Sequence, residues 1–142
     1  MKLFLAGPLF NAAEREFNRR LRDALAAAGH EVWLPQENEP RERGAAAIFK
    51  KDVEGIEWAQ AVLANMDGPD PDSGTCWECG YAYARRKPVL AYRTDVRHAE
   101  DASIGRFNLM IEKSATKVVV VPGATVEQVA KKLLAAVEKL AI

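Results

Sequence analysis

Glu78 is a carboxylate with few neighbours in the sequence that could neutralise it. It follows a loop rich in Asp, Pro and Gly (residues 67–74) and lies in the first turn of a helix predicted over residues 75–87. No Lys or Arg stands three or four positions away to form an ion pair. A helix N-terminus favours an ionised carboxylate and would keep it ready for nucleophilic attack. The structural alternative is that Thr75 and Glu78 form a capping box.

Asp52 is a second carboxylate in an unusual place, because it falls within the apolar stripe of a helix predicted over residues 44–60. No residue three or four positions away can form an ion pair with it. Burial without a partner raises the pKa of a carboxyl group, which suits a proton donor. The structural alternative is an Asp at the helix edge that caps a neighbouring loop. The apolar stripe consists of Phe49, Val53, Ile56 and Ala59.

Asp72 is the third candidate, six residues before Glu78 in a segment, Pro71-Asp72-Ser73-Gly74, that is also typical of a turn. Two carboxylates near a helix start, with an inward-facing one nearby, indicate glycosidic-bond chemistry. In that chemistry one carboxylate attacks the anomeric carbon and another group handles the proton of the leaving group.

Cys76 and Cys79 have the spacing of a redox pair or of half a zinc site. Zinc would need two further ligands, and the two histidines, His30 and His98, are isolated in the sequence. We therefore expect two packed thiols, no metal and no other cofactor. Isolated histidines also argue against a Ser/His/Asp arrangement, and neither of the two Gly-rich phosphate-loop motifs occurs.

The composition limits the classes of protein that remain. A chain of 142 residues, 49% of them apolar, fits one domain over residues 1–142. A net charge of zero argues against a surface that attracts nucleic acid polymers or anionic membranes by charge. No apolar run is long enough to span a membrane, and the apolar start is too short for a signal peptide. We therefore expect a cytosolic protein.

Short β-rich runs alternate with helical patterns, which predicts a parallel sheet covered by helices on both faces. The run at 117–121 is the most hydrophobic and is predicted to be the central strand. Ligands of such sheets bind beyond the carboxyl ends of the strands, where loops 67–74 and 93–107 begin. The predicted strands are 2–6, 31–34, 61–66, 88–92 and 117–121. The predicted helices are 11–28, 44–60, 75–87, 108–113 and 124–140.

Several of these helices have recognisable ends. Asn11 is the predicted N-cap of the first helix, and Gly29 follows its last turn. Thr125, with Gln128 three residues later, predicts a capping box for the last helix. The basic run 85–87 is expected to form the last turn of the 75–87 helix, where positive charge suits the helix dipole.

Four motifs together resemble the nucleoside 2-deoxyribosyltransferases, and the resemblance extends from residue 3 to about residue 121. It implies a flavodoxin-like three-layer sandwich with a five-stranded parallel sheet. It also implies a retaining, double-displacement exchange of the base on 2-deoxyribonucleosides, with nucleosides and free nucleobases as substrates. The motifs are Leu5-Ala6-Gly7-Pro8-Leu9-Phe10, Asp72-Ser73-Gly74-Thr75 followed by Trp77-Glu78-x-Gly80-Tyr81-Ala82, Tyr92-Arg93-Thr94-Asp95-x-Arg97 and Phe107-Asn108-Leu109-Met110.

The resemblance also implies roles for individual residues. Glu78 matches the nucleophile of the family, and Asp52 and Asp72 match carboxylates that line the base and sugar site. We assign proton transfer to the base to Asp52. Asn108 and Met110 match residues that family members lend to a neighbouring subunit, which implies a homo-oligomer, at least a dimer. The implied substrate-binding residues are Phe4, Gly7, Pro8, Asp72, Ser73, Gly74, Asn108 and Met110.

Phe4 departs from the family pattern, because many members have a tyrosine here whose hydroxyl contacts the nucleophile. The missing hydroxyl affects how Glu78 is oriented and how strictly the 2-position of the sugar is recognised. One alternative function is an N-glycosidase of nucleosides or their 5-monophosphates, with water as acceptor. Residues 9–13 offer few donors for a 5-phosphate, which favours free nucleosides. Another alternative is a non-catalytic nucleotide-sensing module.

Overall fold

The computed structural model describes residues 1–42, 44–97 and 105–140, so His98 and part of the predicted loop 93–107 lie outside the described residues. Strands and helices alternate along the chain, as predicted. No described helix combines the length and apolar character needed to cross a membrane. The strands are β1 (Lys2–Ala6), β2 (Glu31–Trp33), β3 (Ala61–Asn65), β4 (Val89–Arg93) and β5 (Lys117–Val120). The α-helices are α1 (Ala12–Ala27), α2 (Ala45–Trp58), α3 (Ser73–Ala84), α4 (Leu109–Ser114) and α5 (Val126–Val137).

The five strands form one parallel sheet in the order β2-β1-β3-β4-β5. This is the strand order of flavodoxin-like folds, with the topological switch point between β1 and β3. The predicted five-stranded parallel sheet is therefore confirmed. At the switch point, Phe4 of β1 pairs with Val62 of β3, and Leu5 pairs with Leu63.

Alternate residues of the strands divide the core into two layers, because side chains along a strand point to opposite faces. One layer contains Leu3, Leu5 and Leu63 and packs against α1 and α5. The other contains Phe4 and Val62 and packs against α2, α3 and α4. Helices on both faces make the predicted three-layer sandwich.

β5 lies at an edge of the sheet, so the prediction that it is central was wrong. Its valines meet helices on both faces, since Val119 belongs to the α1/α5 layer and Val118 packs against the other layer. The high hydropathy of β5 is therefore explained by helices that cover both of its faces. It does not indicate that β5 has a neighbouring strand on each side. Lys117 and Val120 are exposed along this edge strand.

Side-chain caps begin α1 and α5 where the sequence predicts them. Asn11 Oδ1 accepts a hydrogen bond from the backbone N–H of Glu14 at 3.0 Å, and Glu14 accepts one from the N–H of Asn11 at 3.2 Å. Thr125 and Gln128 form the equivalent pair at α5. Because a capping box involves residues only three positions apart, the caps of these two helices could be predicted from the sequence.

The helix predicted over 75–87 is displaced toward the N-terminus, because α3 runs from Ser73 to Ala84. Arg85 is its C-cap, and Arg86 adopts a left-handed conformation with φ of 57°. The basic run therefore follows the helix and does not form its last turn, which corrects the prediction based on the helix dipole.

Candidate active site

Asp72 fixes the start of α3. Its Oδ2 atom accepts hydrogen bonds from the backbone N–H of Thr75 at 2.9 Å and from the Thr75 hydroxyl at 3.0 Å. Asp72 is therefore the N-cap, and the capping box expected between Thr75 and Glu78 does not form. Glu78 lies in the second turn of α3, beyond the free N–H groups of the helix N-terminus.

The carboxyl group of Glu78 is largely buried, and Asp52 and Asp72 lie near enough to affect its ionisation. Burial is the largest influence, followed by the charges of Asp52 and Asp72, and together they raise the pKa of Glu78 to about 8. The neutral form therefore predominates at neutral pH in the free protein. This outcome corrects the expectation that the helix N-terminus would favour the ionised form.

Asp52 is half-buried on α2, and burial raises its pKa. This direction is the one predicted from its place in the helix. Phe49 is 55% exposed and does not belong to the core, although the sequence placed it in the apolar stripe. It packs edge-on against Trp77 of α3, with ring centroids 5.2 Å apart. That contact, together with the rest of the α2–α3 packing, fixes the helices that carry Asp52 and Glu78 next to each other.

Two further contacts fix α2 relative to its neighbours. Tyr81 stacks on Trp77 with ring centroids 5.3 Å apart, and its hydroxyl donates to Glu57 of α2 at 2.6 Å. Gly55 allows α2 to approach β2, because a Cβ atom there would lie 2.5 Å from the indole nitrogen of Trp33. Asp52 therefore sits on a helix held from both sides.

The loop after β1 is held close to β3 and α1. A Cβ atom at Gly7 would lie 3.2 Å from Cβ of Asn65, so this position favours the smallest residue. The buried side chain of Asn18 donates to the carbonyl of Pro8 at 2.9 Å. Phe4 is fully buried among residues that face α2 and α3, which is also the face that carries Glu78.

Ser73 and Gly74 form the exposed first positions of α3. A Cβ atom at Gly74 would stand 3.2 Å from Oδ2 of Asp72. Glycine therefore leaves the carboxylate of Asp72 uncovered on this side. Ser73 and Gly74 thus follow Asp72 directly at the start of α3, the helix that also carries Glu78.

Asn108 and Met110 lie at the start of α4, which packs against α3. Asn108 caps the helix, since its Oδ1 atom accepts a hydrogen bond from the N–H of Met110 at 3.0 Å. The side chain of Met110 is 70% exposed and the residue is free to contact another molecule. Asn108 thus has a local structural task in addition to the one that the resemblance implies.

Arg93 is a residue that the sequence reasoning left without a role. It was placed at the start of a polar loop, but it is the last residue of β4 and only 3% exposed. Its guanidinium group donates to backbone carbonyls of the two loops that follow β3 and β4. The sequence did contain one sign that Arg93 has a role: it lies inside one of the four motifs, between the apolar strand β4 and the acidic Asp95.

Both cysteines are free thiols, and Cys79 is buried in the core. Burial is the main influence that raises the pKa of Cys79 to about 12, and it also raises that of Cys76. Neither thiol is therefore activated as a thiolate. Within the ranges that the structure describes, no three His, Cys, Asp or Glu side chains are grouped so as to hold a metal ion.

Comparison with known proteins agrees with this architecture. The family model for nucleoside 2-deoxyribosyltransferases matches residues 3–133. A search of curated proteins found no match. Among solved structures, a 2-deoxyribosyltransferase from Bacillus psychrosaccharolyticus is 28% identical, with 92% of this chain and 90% of the other covered and a TM-score of 0.72.

Two more distant structures share the fold. A 2-deoxyribosyltransferase from Leishmania mexicana is 23% identical over 98% of both chains, with a TM-score of 0.72. The CMP N-glycosidase BcmB from Clostridium botulinum is 18% identical, with 95% of this chain and 99% of the other covered and a TM-score of 0.65. Because the family model matches nearly its whole length, this chain belongs to the nucleoside 2-deoxyribosyltransferase family.

Proposed function

We propose that the protein exchanges the nucleobase of 2-deoxyribonucleosides by a retaining double displacement with Glu78 as the nucleophile. The observation that carries the proposal is the grouping of three carboxyl groups: Glu78 is partly buried, and Asp52 and Asp72 are near enough to raise its pKa. Such a cluster suits attack on an anomeric carbon and the handling of a leaving-group proton. Membership of the family supports the same reaction.

In the first displacement, the ionised carboxylate of Glu78 attacks C1′ of the sugar. A carboxylate oxygen bonds to C1′ as the bond from C1′ to the base nitrogen breaks. The base leaves with the electron pair of that bond and takes a proton from Asp52, the carboxyl group to which we assign proton transfer and whose pKa burial raises. The negative charge of Asp72 stabilises the positive charge that develops on the sugar in the transition state.

The like charges around Glu78 also affect its reactivity. Burial and repulsion disfavour the ionised carboxylate, which is why its pKa is raised. Bond formation to C1′ removes the negative charge from Glu78 and so relieves that repulsion. The surroundings that make Glu78 hard to ionise therefore make its ionised form a stronger nucleophile.

In the second displacement, another nucleobase attacks C1′ and Glu78 leaves as a carboxylate. The attacking nitrogen gives its proton to Asp52, which restores the starting protonation state. Two inversions at the same carbon give net retention of configuration. The residues that we propose to bind substrate are Phe4, Gly7, Pro8, Asp72, Ser73, Gly74, Asn108 and Met110.

Hydrolysis is the second candidate, and the shared fold with a CMP N-glycosidase keeps it open. One observation favours free nucleosides over 5-monophosphates. The carboxylate of Glu14 accepts hydrogen bonds from the N–H groups of Phe10 and Asn11, at 2.8 and 3.2 Å, at the N-terminus of α1. A phosphate at this helix end would find these N–H groups already bonded to Glu14 and would be repelled by its negative charge.

We propose further that the chain acts as one domain in the cytosol, without a cofactor, and assembles at least into a dimer. The exposed Met110 and its neighbour Asn108 on α4 support a shared site, in which they reach the Glu78 site of a neighbouring subunit.

Incubation with deoxyinosine and adenine distinguishes the candidates. Formation of deoxyadenosine means base exchange, whereas hypoxanthine without deoxyadenosine means hydrolysis. No reaction with deoxyinosine, and none with thymidine as donor, would contradict both enzymatic proposals and favour a binding module. Deoxyinosine 5-monophosphate as donor tests the preference for free nucleosides.

A further inference from the structure

Arg93 is a buried cation whose partners are backbone carbonyl groups. Its Nη1 atom donates to the carbonyls of Met66 and Gly68, the latter at 2.8 Å, and its Nη2 atom donates to the carbonyl of Arg97 at 2.9 Å. No carboxylate in the described part of the chain forms an ion pair with it. A buried guanidinium is costly unless its donors are used. These three bonds therefore tie the loop after β3 to the loop after β4.

Asp67 makes the reciprocal connection. Its carboxylate accepts hydrogen bonds from the N–H groups of Thr94 and Asp95, at 2.6 and 2.8 Å, and from the hydroxyl of Thr94 at 2.5 Å. Asp95 in turn accepts a hydrogen bond from the N–H of Gly68 at 3.1 Å. We call Asp67, Gly68, Arg93, Thr94 and Asp95 the loop clasp. Arg93 donates to carbonyls of the loop after β3, and Asp67 of that loop accepts from N–H groups of the loop after β4. Residues 66–68 are therefore fixed relative to β4.

The loop clasp is connected to Asp72 by a short, stiff segment. Only residues 69–71 separate Gly68 from Asp72, and Pro69 and Pro71 both have a restricted φ angle. Pro71 is buried, and its carbonyl lies 3.8 Å from the thiol of Cys76 on α3. A shift of Gly68 therefore strains the two hydrogen bonds by which Asp72 caps α3.

We infer that Arg93 is a positioning residue for the Glu78 site, which acts through the loop clasp by fixing where Asp72 stands beside Glu78. Its effect on turnover rests on the proposed function. Its effect on the placement of Asp72 is independent of any activity. A titration of Glu78 detects that placement, because Asp52 and Asp72 are the charged groups that influence its ionisation.

The first variant is Arg93→Lys, because the donors of an ammonium group radiate from one atom and do not reproduce the planar guanidinium fork that spans both loops. The Glu78 carboxyl carbon is followed by NMR in ¹³C-labelled protein as a function of pH. We expect its titration midpoint to fall by about half a pH unit or more as Asp72 moves away and water enters. We expect kcat for base exchange to fall about tenfold, with a smaller change in KM.

Two further proteins complete the test. Thr94→Val removes only the hydroxyl bond to Asp67 and should shift both readouts in the same direction by less. Arg20→Lys is the matched control, because Arg20 pairs with Glu127 on the surface between α1 and α5. In this variant the titration midpoint of Glu78 and the kcat should equal those of the wild type.

A lower melting temperature for Arg93→Lys, with a wild-type Glu78 titration and wild-type kcat, would make the loop clasp purely structural and overturn the inference. If Arg93→Lys does not fold, Thr94→Val decides by the same criteria. If the wild type neither transfers nor hydrolyses, the proposed function fails, yet the titration midpoints still decide whether the loop clasp places Asp72.

Discussion

Asp72 binds Thr75 through one carboxylate oxygen, which accepts a hydrogen bond from the backbone N–H of Thr75 at 2.9 Å and another from its hydroxyl at 3.0 Å. The second oxygen of Asp72 makes no hydrogen bond to any residue that the structure describes. Asp72 therefore combines two tasks, since it begins α3 and places a negative charge near Glu78.

Substitution of Asp72 separates these two tasks. Asp72→Asn retains a capping oxygen, so its melting temperature should stay close to that of the wild type. It removes a like charge, so the pKa of Glu78 should fall, and base exchange should slow by an order of magnitude or more. Asp72→Ala loses the cap as well and should lose about 1 kcal/mol of stability. Thermal melts, NMR titration and rates of the two variants measure this; equal rates in Asp72→Asn and wild type would leave Asp72 only as a cap.

Glu78→Gln should abolish base exchange without harming the fold. A neutral amide is a poor nucleophile, so activity should fall by orders of magnitude. Because Glu78 caps nothing, stability should not fall. Mass spectrometry of wild type treated with a slow 2-fluoro-substituted nucleoside should find the sugar on the peptide that contains Glu78. Near wild-type turnover of Glu78→Gln would falsify the assignment of the nucleophile.

Stability should depend on pH through Glu78. Its pKa rises from 4.5 to about 8 on folding, so the native state binds more protons than the unfolded chain between these values. This contribution to stability is complete below the lower value and is lost as the pH rises through about 8. We therefore expect the melting temperature of Glu78→Gln, relative to that of wild type, to rise from about pH 4.5 to about pH 8 and to level off above that. If the melting temperatures of the two proteins change with pH in the same way, Glu78 is not buried as a neutral acid.

The activity of the wild type should depend on pH through both Glu78 and Asp52. The reaction needs Glu78 ionised and Asp52 protonated, so kcat/KM should be bell-shaped, with one of its two limbs at the pKa of Glu78, about 8. Initial rates at low substrate concentration over a pH series measure this. A rate that is flat over this range would mean that the free enzyme already holds Glu78 ionised.

Phe4→Tyr tests the missing hydroxyl on β1. Phe4 is fully buried on the face that carries α3, so an added hydroxyl needs a polar partner there. If Glu78 provides it, the ratio of deoxyribonucleoside to ribonucleoside turnover should rise, since ribonucleosides are better tolerated without the hydroxyl. Competition between deoxyinosine and inosine measures the ratio. An unchanged ratio in a folded variant would remove Phe4 from substrate discrimination.

Met110→Arg tests the shared site. A charged side chain at this exposed position should weaken assembly and lower activity without affecting the fold of the subunit. Mixing Met110→Arg with Glu78→Gln should restore up to about one quarter of wild-type activity, because a mixed dimer contains one intact site. Size-exclusion chromatography and rates of the mixture measure this. Full activity of the wild type as a dilute monomer would contradict the shared site.

The sequence was sufficient where the relevant interactions are local. The caps at Asn11 and Thr125 depend on residues three positions away, so their patterns identify them. Alternation of apolar strands and amphipathic helices was enough for the parallel sheet with both faces covered. The unusual settings of Asp52 and Glu78 were also visible, because a carboxylate without a neighbouring cation stands out at helical spacing.

Long-range packing decided the features that the sequence left open or indicated wrongly. Hydropathy could not place β5 at the edge, because it reports covered faces and carries no information about strand order. The sequence suggested a capping box at Thr75 for the start of the third helix, whereas the fold made Asp72 the N-cap of α3. Arg93 was unremarkable in sequence, since its partners are backbone carbonyls that resemble those of any loop.

The ionisation of Glu78 shows most clearly which features the sequence determined and which depended on long-range packing. The sequence determined that a carboxylate stands there without a nearby cation. Only the packing of α2 against α3 and the cap at Asp72 determined that two further carboxylates lie close to it and that solvent is largely excluded. Desolvation and like-charge repulsion depend on distances between residues far apart in the chain, so the tertiary structure alone decided that its pKa is raised.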